Sequence, residues 1–120
     1  MKSILAALAL FTMTALAADG PVYHIVHFKF KAGTTPEQIQ KVETEFAALK
    51  GKVAEVESLT WGTDISTEGL SDGYTHCWVV TFKDTAARDA YIVHPAHKAF
   101  VDIAKPVIEK PMVVDFIPKK

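Results

Sequence analysis

The chain has 120 residues, of which 49% are hydrophobic and 22% are charged. This balance is that of an ordinary globular domain and excludes a disordered or fibrous protein, while the length predicts one domain. The formal net charge is −1 and the sequence contains no strongly basic patch. Nucleic acid and anionic membranes are therefore poor candidates as partners.

The first segment has the pattern of a secretory signal peptide. A single Lys precedes an apolar run that starts at Ile4, and Ala15-Leu16-Ala17 forms a small-residue cleavage pattern. The run is interrupted by two threonines and is short against the ~20 residues of a membrane-spanning helix, which is the alternative. We predict a signal peptide over residues 1–18, a mature domain over residues 19–120, and a secreted or periplasmic location.

The mature domain starts with a strand and a helix. Residues 22–31, VYHIVHFKFK, alternate so that His24, Val26 and Phe28 share one face. After Thr35 as N-cap and Pro36 as first helical residue, apolar residues at helical spacing predict a helix over residues 37–50, ended by Gly51.

The second half of the chain predicts three strands and two helical pieces. The strands are residues 53–65 (with Gly62 a candidate bulge), 74–82 and 111–118, and the helical pieces are residues 85–93 and 96–110. The order is β-α-β-β-α-β, which predicts an α+β, ferredoxin-like fold whose antiparallel sheet carries helices on one face. The second face contains Ile25, Cys77 and Val79, which is too apolar for a solvated surface, so we expect a homodimer.

His94 and His97 flank Pro95 and could suggest a metal site. However, the residue before a proline is disfavoured in helical conformation, so His94 lies outside the helix and only His97 lies within it. No H-E-x-x-H or C-x-x-C spacing supports a metal, and we predict none. His97 falls on the apolar stripe of its helix, where burial and the helix N-terminus both favour the neutral imidazole.

Strand parity brings further polar side chains to the helix-facing side of the sheet. His24 and His76 share their parity with Phe28 and Trp78, and Tyr91 lies one helical turn before Pro95. An apolar pocket with a few convergent polar groups is the usual form of a small-molecule site, although each histidine could instead be a core residue bonded to backbone. The predicted layer contains His24, His76, Tyr91 and His97, walled by Val26, Phe28, Phe46, Trp78, Val80, Phe100 and Ile108.

Two residues belong to the opposite side of the sheet. His27 is expected to be a dimer-surface or solvent residue. Cys77, the single cysteine, is expected to be a small packed hydrophobe, since it lies in mid-strand without an activating neighbour in sequence.

The segments HIVHFKFK, Trp61-Gly62, GYTHCWVVTF and DAYIVHPAHKAFVDIAKPVIEKPMVVDF resemble the stress-responsive A/B barrel (Dabb) family. The resemblance covers roughly the whole mature domain, and HPAH is its most specific motif. It implies a ferredoxin-like fold whose sheets pair into a dimeric α/β barrel.

A polyketide cyclase of that family implies a role for individual residues. Its catalytic Tyr and His match Tyr91 and His97, and its other pocket histidines match His24 and His76. The resemblance thus implies that His97 takes a proton alpha to a carbonyl and that Tyr91 orients His97 or stabilises the enolate, chemistry that requires no cofactor. The cyclase has bulky aromatic residues where this chain has Val42, Glu43, Ala47 and Ile108, so the pocket is expected to differ in shape.

Three functions remain open from the sequence. The first is an exported homodimer that binds a small hydrophobic ligand and performs His/Tyr acid–base chemistry on it. The second is a non-catalytic, stress-related structural dimer whose inner histidines are core residues. The third is a cofactor-free monooxygenase of the wider dimeric α+β barrel group. A cavity of about 300 Å³ or more reached by His97 and Tyr91 favours the first over the second.

Overall fold

The domain that follows the N-terminal segment folds as the alternating strands and helices of the sequence indicate. The computed structural model describes residues 20–120, so the predicted signal peptide over residues 1–18 lies outside the described residues. Within them the order is β1 (Val22–Phe30), α1 (Pro36–Ala47), α2 (Leu49–Lys52), β2 (Ser58–Thr63), β3 (His76–Phe82), α3 (Thr85–Ile92), α4 (Pro95–Ala104) and β4 (Ile108–Phe116).

The four strands form one antiparallel sheet in the order β2-β3-β1-β4, which confirms the ferredoxin-like α+β fold. β1 is central, and its buried residues alternate with partly exposed ones along its length. The buried set from β1 and β3 packs against apolar residues of the helices, so the helices cover one face of the sheet. No helix within residues 20–120 is long and apolar enough to span a membrane.

Local capping fixes where the helices begin. The Thr35 side chain accepts a hydrogen bond from the Gln38 backbone N–H, and the Gln38 side chain accepts one from the Thr35 N–H. This capping box, with Pro36 at the first helical position, sets the start of α1. Asp84 caps α3 in the same manner by accepting from the Ala87 N–H at 2.9 Å.

Two predicted boundaries are wrong in the first half of the domain. The segment predicted as a strand over residues 53–65 is a strand only over Ser58–Thr63; Val53 and Val56 are buried in the connection that precedes it. The first helix ends at Ala47, and Gly51 lies within the short α2 rather than ending the helix. A run of apolar residues in a sequence does not distinguish a buried connection from a short strand, because it carries no information on hydrogen bonding.

The last helix is also shorter than predicted. α4 ends at Ala104, and the chain then passes through Pro106 into β4, so Ile108 belongs to a strand and not to a helical stripe. Pro106 has no backbone N–H and disfavours a continued helix, which explains the early end. A register shift lies between Lys29 and Phe30 in the β1–β4 pairing, whereas Gly62, the candidate bulge, pairs regularly with Cys77.

Candidate functional site

A cavity of about 490 Å³ lies between the sheet and helices α3 and α4. Its volume exceeds the ~300 Å³ that a small-molecule site needs. Apolar side chains form most of its wall, and the polar or charged residues that reach it are His24, Tyr91, His97 and Lys105. The remaining lining residues are Val26, Phe28, Phe46, Ile92, Phe100, Val101, Ala104, Ile108, Pro111 and Val113.

His97 lies in the first turn of α4, on the side that faces the cavity. Its Nδ1 is 3.0 Å from the backbone carbonyl oxygen of Ile92. A carbonyl oxygen can only accept, so Nδ1 carries the proton in the neutral ring and Nε2 keeps its lone pair. The side chain is therefore held as a tautomer with a basic nitrogen available.

Burial lowers the pKa of His97 below its ordinary value. The hydrogen bond to the Ile92 carbonyl opposes this shift, and the nearby His24 and His94 rings reinforce it. The direction agrees with the expectation from burial on the apolar stripe. His97 is accordingly a neutral imidazole at pH 7, the protonation state in which it can accept a proton.

Tyr91, on the last turn of α3, packs between two imidazole rings. Its ring centroid is 4.5 Å from that of His97 and 5.8 Å from that of His24. The residue is 1% exposed, and burial raises the pKa of its hydroxyl. The phenol therefore stays protonated at neutral pH, as a hydrogen-bond donor beside His97.

His24 is anchored by a carboxylate that the sequence reading did not single out. Its Nδ1 is 2.6 Å from Oδ1 of Asp115, the residue directly opposite it on β4. Oδ2 of Asp115 accepts a hydrogen bond of 2.6 Å from Arg88 Nη1 on α3. The other imidazole nitrogen of His24 takes no part in these hydrogen bonds. The bonds join α3 to β4 and fix the orientation of the His24 ring.

Most of the predicted layer meets at this cavity, but three members, His76, Trp78 and Val80, do not line it. His97, Tyr91, His24, Val26, Phe28, Phe46, Phe100 and Ile108 line it, although Ile108 does so from β4. Trp78 is fully buried and stacks on Phe46 with ring centroids 4.0 Å apart, so it supports the cavity wall from behind.

His76 lies on the far side of that aromatic wall. Its Nε2 is 2.7 Å from Glu43 Oε2 and its Nδ1 is 2.8 Å from Thr75 Oγ1, and its ring stacks on Trp61. Both ring nitrogens are therefore occupied by protein groups. His76 therefore links β3 to Glu43 of α1 and does not line the cavity that contains His97.

The residues that sequence reasoning missed are Asp115, Arg88 and Lys105. Asp115 had a usable signal, because it interrupts an apolar strand at the parity of the helix-facing side. Arg88 and Lys105 had none, since each falls in a predicted helical segment, where charged residues are ordinarily solvated.

The domain can now be compared with known proteins. The family model described as "Stress responsive A/B Barrel Domain" matches residues 22–118, which include all four strands and the cavity. The chain belongs to this family.

Two curated relatives in plants support the assignment. A stress-response A/B barrel domain-containing protein of Arabidopsis thaliana is 38% identical over 101 residues, which cover 84% of this chain and 93% of the relative. Olivetolic acid cyclase of Cannabis sativa is 31% identical over 99 residues, which cover 82% of this chain and 98% of the enzyme.

Two solved structures superpose well on this domain. The hydroxynitrile lyase of Passiflora edulis is 27% identical with a TM-score of 0.79, and the match covers 85% of this chain and 96% of the lyase. A dimeric ferredoxin-like protein from Thermobifida fusca is 27% identical with a TM-score of 0.69, covering 82% of this chain and 92% of that one.

The ionisation of His97 can be measured directly. An NMR titration of the imidazole is expected to give a pKa below the ~6.5 of a free side chain, because burial disfavours the charged ring. The unfolded chain then binds this proton more readily than the folded one, so the contribution of His97 to stability falls as the pH drops below about 6.5. A pKa above that value would contradict the burial argument.

Proposed function

We propose that the protein binds a small hydrophobic ligand in the cavity between sheet and helices, and that His97 and Tyr91 perform acid–base chemistry on it. The observation that carries this proposal is the meeting of a neutral imidazole and a protonated phenol in an apolar cavity of about 490 Å³. Apolar walls select a hydrophobic ligand, and the few polar groups fix its orientation.

The chemistry follows from the protonation states. His97 Nε2 takes a proton from a carbon next to a carbonyl group, the electrons of the broken C–H bond form an enolate, and the Tyr91 hydroxyl donates a hydrogen bond to the enolate oxygen. A base with a pKa near the working pH and a donor placed where charge develops are the two requirements of such a step. Return of the proton from His97 to a different carbon of the delocalised enolate completes an isomerisation. In a cyclisation, the enolate carbon instead bonds to a second carbonyl carbon of the ligand, the C=O π bond breaks, and the resulting alkoxide takes the proton from His97.

His24 is the third polar group of the site. The Asp115 carboxylate holds its ring against Tyr91, with ring centroids 5.8 Å apart. We infer that His24 binds a second oxygen of the ligand through the nitrogen that Asp115 does not occupy. The cyclase and the lyase among the related proteins support enzymatic use of this fold, and Tyr91 and His97 match the catalytic pair implied by the resemblance to the cyclase.

We propose that the outer face of the sheet, opposite the helices, forms a homodimer. Met112, Val114 and Phe116 on this face are 40%, 52% and 48% exposed, an apolar surface continuous with Ile25 and Val79 in register beside them. Monomeric proteins rarely leave such a surface uncovered. The Thermobifida relative, described as dimeric, supports this reading.

We also propose that the protein is exported, on the basis of the N-terminal pattern. Expression in a bacterial host with fractionation is expected to give a periplasmic or secreted chain whose intact mass corresponds to a start at Ala18 or Asp19. An intact mass that retains Met1, with the protein in the cytoplasmic fraction, would refute export.

Proton abstraction can be tested without the natural substrate. A hydrophobic β-diketone in D₂O serves as probe, and NMR follows exchange of the protons between its carbonyl groups. Wild-type protein is expected to accelerate the exchange, His97→Gln to lose about 10²–10⁴-fold of the acceleration because the base is gone, and Tyr91→Phe about 10²–10³-fold because the enolate loses its donor.

The matched control is His94→Asn. His94 caps α4 by accepting from the Ala96 N–H, and Asn keeps a capping oxygen, so the helix start is preserved outside the cavity. This variant is expected to exchange within a few-fold of the wild-type rate, because His94 is the smallest of the influences on the pKa of His97. If the probe binds but His97→Gln does not slow the exchange, the catalytic assignment is wrong. If no apolar probe binds, the structural-dimer reading is favoured.

The dimer proposal has its own measurement. Light scattering at micromolar concentration is expected to give the mass of two chains, and Val114→Lys to weaken association at least about 100-fold, since the change buries a charged side chain in an apolar interface. The control Thr67→Lys, in the exposed 64–75 loop, should leave the dimer intact. A wild-type protein that scatters as a monomer would overturn the proposal.

A further inference from the structure

A second cavity lies on the outer face of the sheet, away from the His97 site. Its volume is about 550 Å³, and β1, β3, β4 and the loop after β2 contribute to its wall. Four of its lining residues carry soft or borderline metal-ligand atoms: His27 of β1, His76 and Cys77 of β3, and Met112 of β4. Both ring nitrogens of His76 are bonded to Thr75 and Glu43, which leaves His27, Cys77 and Met112. The acid–base chemistry of the first cavity uses none of them.

The sheet register places these three residues in one row. His27 pairs directly with Cys77 on one side and with Met112 on the other. Directly opposed residues on one face of an antiparallel pair have Cβ atoms about 4.5–5.5 Å apart. His27 is therefore the central member, within side-chain reach of a sulfur atom on either side.

One ring nitrogen of His27, the central residue, has no hydrogen-bond partner among the described residues. Within residues 20–120, His27 Nδ1 is one of two buried side-chain nitrogen or oxygen atoms that have no hydrogen-bond partner. Buried polar atoms are normally bonded, and an exception requires an explanation such as an ion. Tyr74 packs edge-on against the His27 ring at 6.2 Å and restricts its orientation.

Cys77 is a free thiol that faces the same cavity. Burial raises the pKa of this thiol, so without a cation beside it the group remains protonated. A metal ion must displace this proton, because the thiolate and not the thiol is the metal ligand.

We propose that Cys77, His27 and Met112 form a binding site for a monovalent copper ion. Thiolate and thioether ligands with an imidazole are the set that selects Cu(I). A site for harder ions is not supported, because no group of three or more His, Cys, Asp or Glu side chains in the described part of the chain is placed to hold a metal. Cys77 and His27 are the principal ligands, and Met112 is a weaker third one because two interstrand spacings of about 4.8 Å separate it from Cys77.

Binding exchanges one proton for one metal ion. The Cys77 S–H bond breaks, the sulfur forms a bond to Cu(I), and the proton is released to solvent, with no change in the oxidation state of either sulfur or copper. His27 Nδ1 gains the partner that it lacks. The site lies on the face proposed for the dimer, so the ion would be shielded within the interface.

Anaerobic titration of the untagged protein tests the site. Cu(I) in acetonitrile is added against the chromophoric chelator bicinchoninate, with the competition read by absorbance. Wild-type protein is expected to remove one Cu(I) per chain from the chelator. Cys77→Ser and His27→Gln are each expected to weaken binding more than about 100-fold, and Met112→Leu about 10-fold, since even the loss of outer-shell partners costs 10–100-fold.

Matched controls separate this site from the rest of the molecule. His97→Gln removes a histidine from the other cavity, and Val114→Ala alters the same face two residues from Met112; both are expected to bind Cu(I) as wild type does. Circular dichroism confirms folding of every variant. Failure of wild-type protein to compete for Cu(I), or equal binding by folded Cys77→Ser, overturns the proposal. Neither result bears on proton abstraction at His97.

Discussion

The geometry of the cavity between sheet and helices depends on the break that Pro95 imposes between α3 and α4. A proline disfavours helical conformation at the preceding residue, and His94 accordingly has an extended ψ of 138°. The break leaves carbonyl groups at the end of α3 without helical partners, and the His97 ring returns to bond one of them, that of Ile92. The break at Pro95 thus fixes the tautomer of His97. It also places the His97 ring against Tyr91, which precedes Pro95 in the chain.

A wall of aromatic side chains then divides the histidines into separate environments. Phe28, Phe46, Trp78 and Phe100 pack in mutual contact between the sheet and the helices. His24 and His97 remain on the cavity side, whereas His76 is held by Glu43 beyond Trp78. The role of each histidine therefore follows from its partner: a carbonyl for His97, a carboxylate with its own arginine for His24, and a carboxylate of α1 for His76.

Periodicity in the sequence was sufficient to predict the fold and to predict that His24 and His97 lie on the same side of the sheet. Alternation in β1 and β3 placed His24 on the helix-facing side, and the 3.6-residue repeat placed His97 toward the sheet. It could not exclude His76 from the cavity, because parity identifies a face but not a position along it. The sequence also could not reveal the Asp115–Arg88 tie, which joins residues brought together by strand pairing, or the passage from helix to strand near Ile108, where local propensity gives way to pairing with β1.

The central claim is that His97 and Tyr91 bind a ligand between them. A crystal structure with the β-diketone probe bound tests it most directly. The account predicts the probe in the cavity between sheet and helices, with one carbonyl oxygen within hydrogen-bond distance of the Tyr91 hydroxyl and the carbon between the carbonyls facing His97 Nε2. A probe bound elsewhere on the domain, with this cavity filled by its own side chains, would contradict it.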